Sequence, residues 1–275
     1  MAREGILRGR REGPRAARAA VPLLLLIALL SSCADPARER FEGAEKALLE
    51  QRMEAALAGF RSIPKEFPQS RYAPAALLRQ GDLYGSYYRN YPAAVEAYES
   101  LAFNYPGATE VPRANLRKGE ILLLQFFNAP AAVETLERVR KQFPKYEKSD
   151  EVLLLLAKAY GQLPDMGREM AVLSELIEKY PASPKAAEAR WMTAFALLVQ
   201  GKFADADREF RRILYLSTDR ADIVRARWGM GQALEGMGEL EKALEQYEAI
   251  RSEFEDAGAI AGKIARLKKR IRERR

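Results

Sequence analysis

A small residue followed four places later by a large apolar one recurs along this 275-residue chain every 37 or 38 residues. The pairs are Ala56/Phe60, Ala94/Tyr98, Ala132/Leu136, Ala206/Phe210 and Ala243/Tyr247, and Leu173 holds the fourth place with Glu169 where the Ala would be. Seven residues after each large member stand Phe67, Tyr105, Phe143, Tyr180, Ser217 and Phe254, and the first four of these precede Pro68, Pro106, Pro144 and Pro181. A fixed period of this length marks stacked units, none of which buries its apolar face alone.

Each unit reads as two amphipathic helices. In the sixth, helix A runs from about Ala221 to Glu235, Gly231 lies within it, Gly238 makes the turn, and helix B follows as LEKALEQYEAIRSEF with Ala243, Tyr247 and Ile250 on one stripe. Pro92 and Pro130 open helix B in the second and third units, where a missing N–H is tolerated. Gly201 breaks the chain in the fifth, Gln51 holds the turn place of the first, and Pro64 falls in the last turn of its helix B. Ser183 ahead of Pro184 is an expected N-cap. Apolar runs such as ILLLQFF (121–127) and VLLLLA (152–157) are expected to be core.

The front of the chain carries six Arg within residues 1–20 and then the apolar run VPLLLLIALL, ending in Leu30-Ser31-Ser32-Cys33. A charged n-region before an h-region of secretory length reads as a signal peptide over 1–32, too short to remain as a spanning helix. Cys33, the only Cys, has no partner for an internal disulfide, and the text before it resembles a bacterial lipobox. The expectation is a lipidated N-terminus with a short linker (33–36). Ala34 rather than Asp follows Cys33, which by the usual sorting rule points to the outer membrane.

The whole chain carries a net charge of +7, but its ends hold the excess: +4 over 1–32 and +7 over 263–275, leaving −4 between. A mildly acidic body lacks the basic face that nucleic acid requires, so no nucleic acid is expected as partner. The absence of His excludes a His general base, a Ser-His-Asp triad and His-bearing zinc sites. No Gly-rich phosphate loop occurs, and carboxylates such as Glu134 and Glu137 have the spacing of a solvated helix face. No catalytic residue, cofactor or metal is expected, and the chain reads as a binding surface. The cluster DLYGSYYRNYP supplies partner-binding candidates in Tyr84, Tyr87, Tyr88 and Arg89, because Tyr and Arg bury much area with few torsions. Trp191 and Trp228 fall within helix A, among expected core.

The small residue, turn Gly, Ala-x-x-x-aromatic and terminal Pro at these offsets resemble the tetratricopeptide repeat, over about residues 37–256. That resemblance implies an all-α, right-handed superhelical solenoid of about six helical hairpins, closed by a basic amphipathic capping helix at 257–275. Ile260, Ala261, Ile264, Leu267 and Ile271 would form that helix's apolar face. With the lipobox and the punctuation FPQSRYAPAAL and YPASPKAAEAR, the chain is similar to the BamD family of outer-membrane β-barrel-assembly lipoproteins. The resemblance implies a lipid-anchored, non-catalytic scaffold on the periplasmic face of the outer membrane, with envelope protein partners that include a β-barrel assembly protein. The alternatives are an adaptor of the Tol–Pal and cell-wall synthesis system, whose family usually adds an N-terminal coiled coil, and a periplasmic glycan- or peptide-binding carrier.

Overall fold

The computed structural model describes residues 35–274, so the expected signal peptide and the lipidation site Cys33 lie outside the described residues. Among the described residues there are thirteen α-helices and no strand. They divide into two compact units, one up to Gln80 and one from Gly81 onward.

The first unit holds α1 (Pro36–Leu49), α2 (Met53–Glu66) and the N-terminal part of α3 (Tyr72–Ser86). Phe41 of α1 meets Phe60 edge-on at 5.5 Å and Tyr72 at 5.4 Å. Gly59 lets α2 approach α1 so closely that a Cβ there would lie 2.8 Å from that of Ala44. Pro64 sits inside α2, where it cannot donate to the carbonyl of Phe60 four residues back. The side chain of the buried Gln80 donates to that carbonyl instead, at 3.1 Å.

The second unit continues as α4 (Tyr91–Asn104), α5 (Val111–Leu124), α6 (Ala129–Gln142), α7 (Ser149–Gly161), α8 (Met166–Lys179), α9 (Pro184–Val199), α10 (Phe203–Leu216), α11 (Arg220–Gly236), α12 (Leu240–Ala249) and α13 (Ala257–Glu273). From α5 onward each helix packs on the next, and α5, α7, α9 and α11 also touch in sequence as the first helices of successive hairpins. Asn90, Asn128 and Asp165 cap α4, α6 and α8 by accepting an N–H three residues on, at 3.2, 3.2 and 3.1 Å. Ser183 caps α9 as its sequence implies, accepting from Lys185 at 3.0 Å. Glu66, Asn104, Gln142 and Lys179 are the last residues of their helices, each directly before the Phe or Tyr that precedes Pro.

The repeat-signature residues Ala56, Phe60, Ala94, Tyr98, Ala132, Leu136, Leu173, Ala206, Phe210, Ala243 and Tyr247 are all within 2% of full burial. Glycines create the space for the largest of them. A Cβ on Gly81 would lie 2.3 Å from the Tyr98 ring, on Gly119 2.7 Å from Leu136, on Gly229 2.4 Å from Phe210 and on Gly231 2.6 Å from Tyr247.

The turns inside the hairpins share one geometry. The residue two places before helix B takes a left-handed conformation: Gln51 (φ 57°), Arg89 (φ 51°), Phe127 (φ 51°), Gly201 (φ 70°) and Gly238 (φ 78°). The following N–H then reaches back five or six residues, as from Asn128 to Leu122 at 2.8 Å and Glu239 to Leu234 at 2.9 Å. This is the closure that satisfies the last carbonyls of a helix. The fourth hairpin carries Pro164 at that place, and a Pro ring holds φ negative, so its turn closes differently, with Asp165 N–H on the Leu163 carbonyl at 2.7 Å.

Three expectations need correction. Helix α12 ends at Ala249, before the expected Phe254, because the chain bends at Ile250 to lay Phe254 against Trp228 at 4.5 Å. Ala261 is exposed on α13, whose buried face is Ile260, Ile264, Leu267 and Ile271 alone. The run VLLLLA is buried throughout, but ILLLQFF is core only through Leu123: Leu124, Phe126 and Phe127 emerge at the end of α5, Phe127 being 77% exposed.

Candidate functional site

The tyrosine cluster divides by role. Tyr84 lies within α3 and is half-buried, while Tyr87 and Tyr88 leave the helix end, exposed, with their rings edge-on at 4.9 Å. Tyr84 and Tyr88 stand 6.3 Å apart. Arg89 occupies the left-handed turn position, so its backbone serves the hairpin while its side chain faces solvent. Near them in sequence, but with none of the four in its lining, a cleft of about 470 Å³ lies between the C-terminal half of α3 and α5, floored by Tyr91 and Tyr98 of α4. Gly85 and Ser86 on one side and Leu124 and Gln125 on the other bring the α3–α4 and α5–α6 turns to the same cleft.

Sequence reasoning missed the charged lining. Tyr98, buried over Gly81, donates its hydroxyl to Asp82 Oδ1 at 2.9 Å, and Asp82 Oδ2 accepts from Arg113 Nη2 at 2.8 Å. Burial first, and then the facing Asp82 carboxylate, push the Tyr98 hydroxyl far above the ordinary tyrosine range. It therefore remains a neutral donor that holds Asp82 in place. One turn along, Arg117 pairs with Glu120 at 2.8 Å and stands 3.7 Å from Glu151. Arg113 Nε is buried with no hydrogen-bond partner in the protein. The only available signal was an Arg at i and i+4 on helix A, a spacing indistinguishable from a solvated face.

The arrangement presents two guanidiniums, the half-buried Tyr91 and apolar Ile121 and Leu124 at one open groove. That is a recognition surface, with bidentate donors for carboxylate or carbonyl groups and aromatic area for side chains. Among the described residues no cluster of His, Cys, Asp or Glu could hold a metal ion, and no helix is long and apolar enough to cross a membrane.

The same Tyr-to-carboxylate device recurs in the last hairpin, where Tyr247 donates to Glu235 at 2.8 Å. There Glu235 also accepts from Lys263 at 2.7 Å and Arg270 at 3.0 Å of α13, tying the capping helix down. Trp191 and Trp228 are half-buried in packing contacts, with Phe195 at 5.9 Å from the first and Tyr247 at 5.0 Å from the second.

The repeating helical hairpin with a small residue beneath each aromatic defines the class: a tetratricopeptide-repeat protein. Solved structures agree in fold. A tetratricopeptide repeat protein from Parabacteroides merdae superposes with a TM-score of 0.59 at 15% identity, covering 85% of this chain and 87% of that one. PilW, a type IV pilus biogenesis factor, gives 0.55 at 15% identity over 84% of this chain and 99% of its own. PilF of Pseudomonas aeruginosa gives 0.56 at 15% identity, covering 84% and 98%. More narrowly, residues 123–255 match the family described as "YfiO: Outer membrane lipoprotein", so the chain resembles a tetratricopeptide lipoprotein of the BamD type. No curated protein matches the chain.

Proposed function

We propose that this protein is a non-catalytic scaffold, anchored by lipid on Cys33 to the periplasmic face of the outer membrane, that serves as an adaptor in β-barrel assembly. In this reading residues 1–32 are removed, 33–36 link the anchor to the first helix, 37–256 form six repeats and 257–275 cap them. The match of residues 123–255 to an outer-membrane lipoprotein family carries the reading. The α3–α5 cleft supports a role in binding protein, since it offers Arg113, Arg117 and the half-buried Tyr91 beside the apolar Ile121 and Leu124.

The test is a pull-down of the tagged full-length lipoprotein from native membranes in mild detergent, with Cys33→Ala and Tyr87→Ala/Tyr88→Ala forms alongside. The expected result is co-recovery of a barrel-assembly protein with the wild type, reduced in the tyrosine variant. Recovery of Tol–Pal components, cell-wall enzymes or pilus-assembly proteins without a barrel partner would overturn the barrel-assembly role and leave the scaffold.

A further inference from the structure

A second cleft, of about 640 Å³, opens between α8 and α10 with α9 as its floor. Three polar side chains lie at its base. Thr193 is 8% exposed and its Oγ1 has no hydrogen-bond partner in the protein. The Arg190 and Glu209 side chains are 16% and 14% exposed and approach only to 3.7 Å, beyond hydrogen-bonding reach. Glu209 Oε1 is held by Arg212 at 2.5 Å, but its Oε2 is buried and accepts no hydrogen bond. Leaving buried polar atoms without partners is costly, and an apolar Val at position 193 would avoid that cost.

The three groups together specify a ligand. An anion would gain Arg190 but meet Glu209, and a cation would meet the reverse. A neutral group with one acceptor and one donor satisfies both, the acceptor receiving from Arg190 and the donor giving to Glu209 Oε2 or Thr193. An amide has that pattern. Ile177 on one wall and Leu216 and Tyr215 on the other, 61% and 89% exposed, supply apolar contacts along an open groove whose rim also carries Glu178 and two arginines already paired, Arg211 with Asp207 and Arg212 with Glu209. Such walls fit the alternating side chains of an extended chain better than the hydroxyl-rich edge of a glycan.

We propose that the α8–α10 cleft binds an extended, apolar and uncharged peptide segment of a partner polypeptide, seating one amide on Arg190, Thr193 and Glu209. The proposal rests on the scaffold reading and adds a second site to it, on helices other than those of the α3–α5 cleft.

The test selects random twelve-residue peptides from a phage library against the full-length protein in detergent micelles. Each recovered peptide is then measured by fluorescence anisotropy on wild type, Thr193→Val, Glu209→Gln and, as the variant of the other cleft, Arg117→Ala. The expected result is a class of peptides that bind at least about tenfold more weakly to both Thr193→Val and Glu209→Gln, the former unfolding no earlier than wild type. These peptides should bind the Arg117→Ala variant normally. Peptides lost only on the Arg117→Ala variant would support the α3–α5 site and overturn this one. Recovery of no peptide, equal affinity for all variants, or displacement by chitotriose would also overturn it.

Discussion

Replacing Arg89 or Phe127 by Gly should stabilise the protein, although each change deletes a large side chain. Both residues sit at φ 51°, in the position that Gly201 and Gly238 occupy in later hairpins. A left-handed conformation costs a side-chain-bearing residue about 1–2 kcal/mol. Glycine removes that strain and returns about 0.5–1 kcal/mol through its greater freedom in the unfolded chain. The side chains themselves are exposed, so little packing is lost. The balance is a gain of about 0.5–1 kcal/mol at each site, or about 1–4 °C in Tm for a chain of this size. Gly201→Ala and Gly238→Ala provide the converse. A Cβ there meets nothing closer than 3.9 Å, so the expected loss of about 1 kcal/mol comes from backbone conformation alone. Thermal unfolding followed by circular dichroism at the helical band reads all four. If Arg89→Gly and Phe127→Gly both lower Tm, turn strain does not govern these hairpins and the reasoning fails.

Two further outcomes follow from packing and burial. Gly231→Ala should destabilise by about 1–3 kcal/mol, since the new Cβ falls 2.6 Å from a Tyr247 ring that is fully buried and pinned through its hydroxyl to Glu235. Gly43→Ala, mid-helix with nothing within 4 Å, should stabilise by about 0.5–1 kcal/mol when both variants are unfolded in urea; equal signs for the two would refute the close-packing argument. Burial holds the Glu169 carboxyl above its ordinary range, so between the two values the folded chain binds more protons and stability falls as pH rises. Glu169→Gln should therefore raise the urea midpoint at about pH 7, with the advantage gone by about pH 3.5; an advantage that grows on acidification would contradict the assignment.

The period of the small–large pairs was enough to locate the hairpins, because each pair answers to one packing position and each Pro to one helix end. Turn geometry was only half legible. Gly201 and Gly238 announce a left-handed residue, whereas Gln51, Arg89 and Phe127 adopt it because the closing hydrogen bonds demand it, against their own preference. ILLLQFF misled for a related reason: the helix stops at Leu124, so hydrophobicity continues past the point where the core ends. The α3–α5 cleft was not legible: the tyrosines that the sequence singles out, Tyr84, Tyr87 and Tyr88, are not in its lining, and the convergence of Asp82, Arg113 and Arg117 depends on packing between hairpins. The α8–α10 cleft left no sequence trace, because unsatisfied atoms exist only once neighbours are placed.

Pro64 and Gln80 carry one more consequence. In an ordinary helix the Phe60 carbonyl would be satisfied from within, and the helix could persist when its neighbour melts. Here the donor comes from twenty residues downstream, on the helix that begins the next hairpin. Unwinding of α3 as far as Gln80 would strand a buried acceptor inside α2, so fraying cannot stop at the boundary between them. A proline that weakens α2 thereby ties its melting to that of the first half of α3.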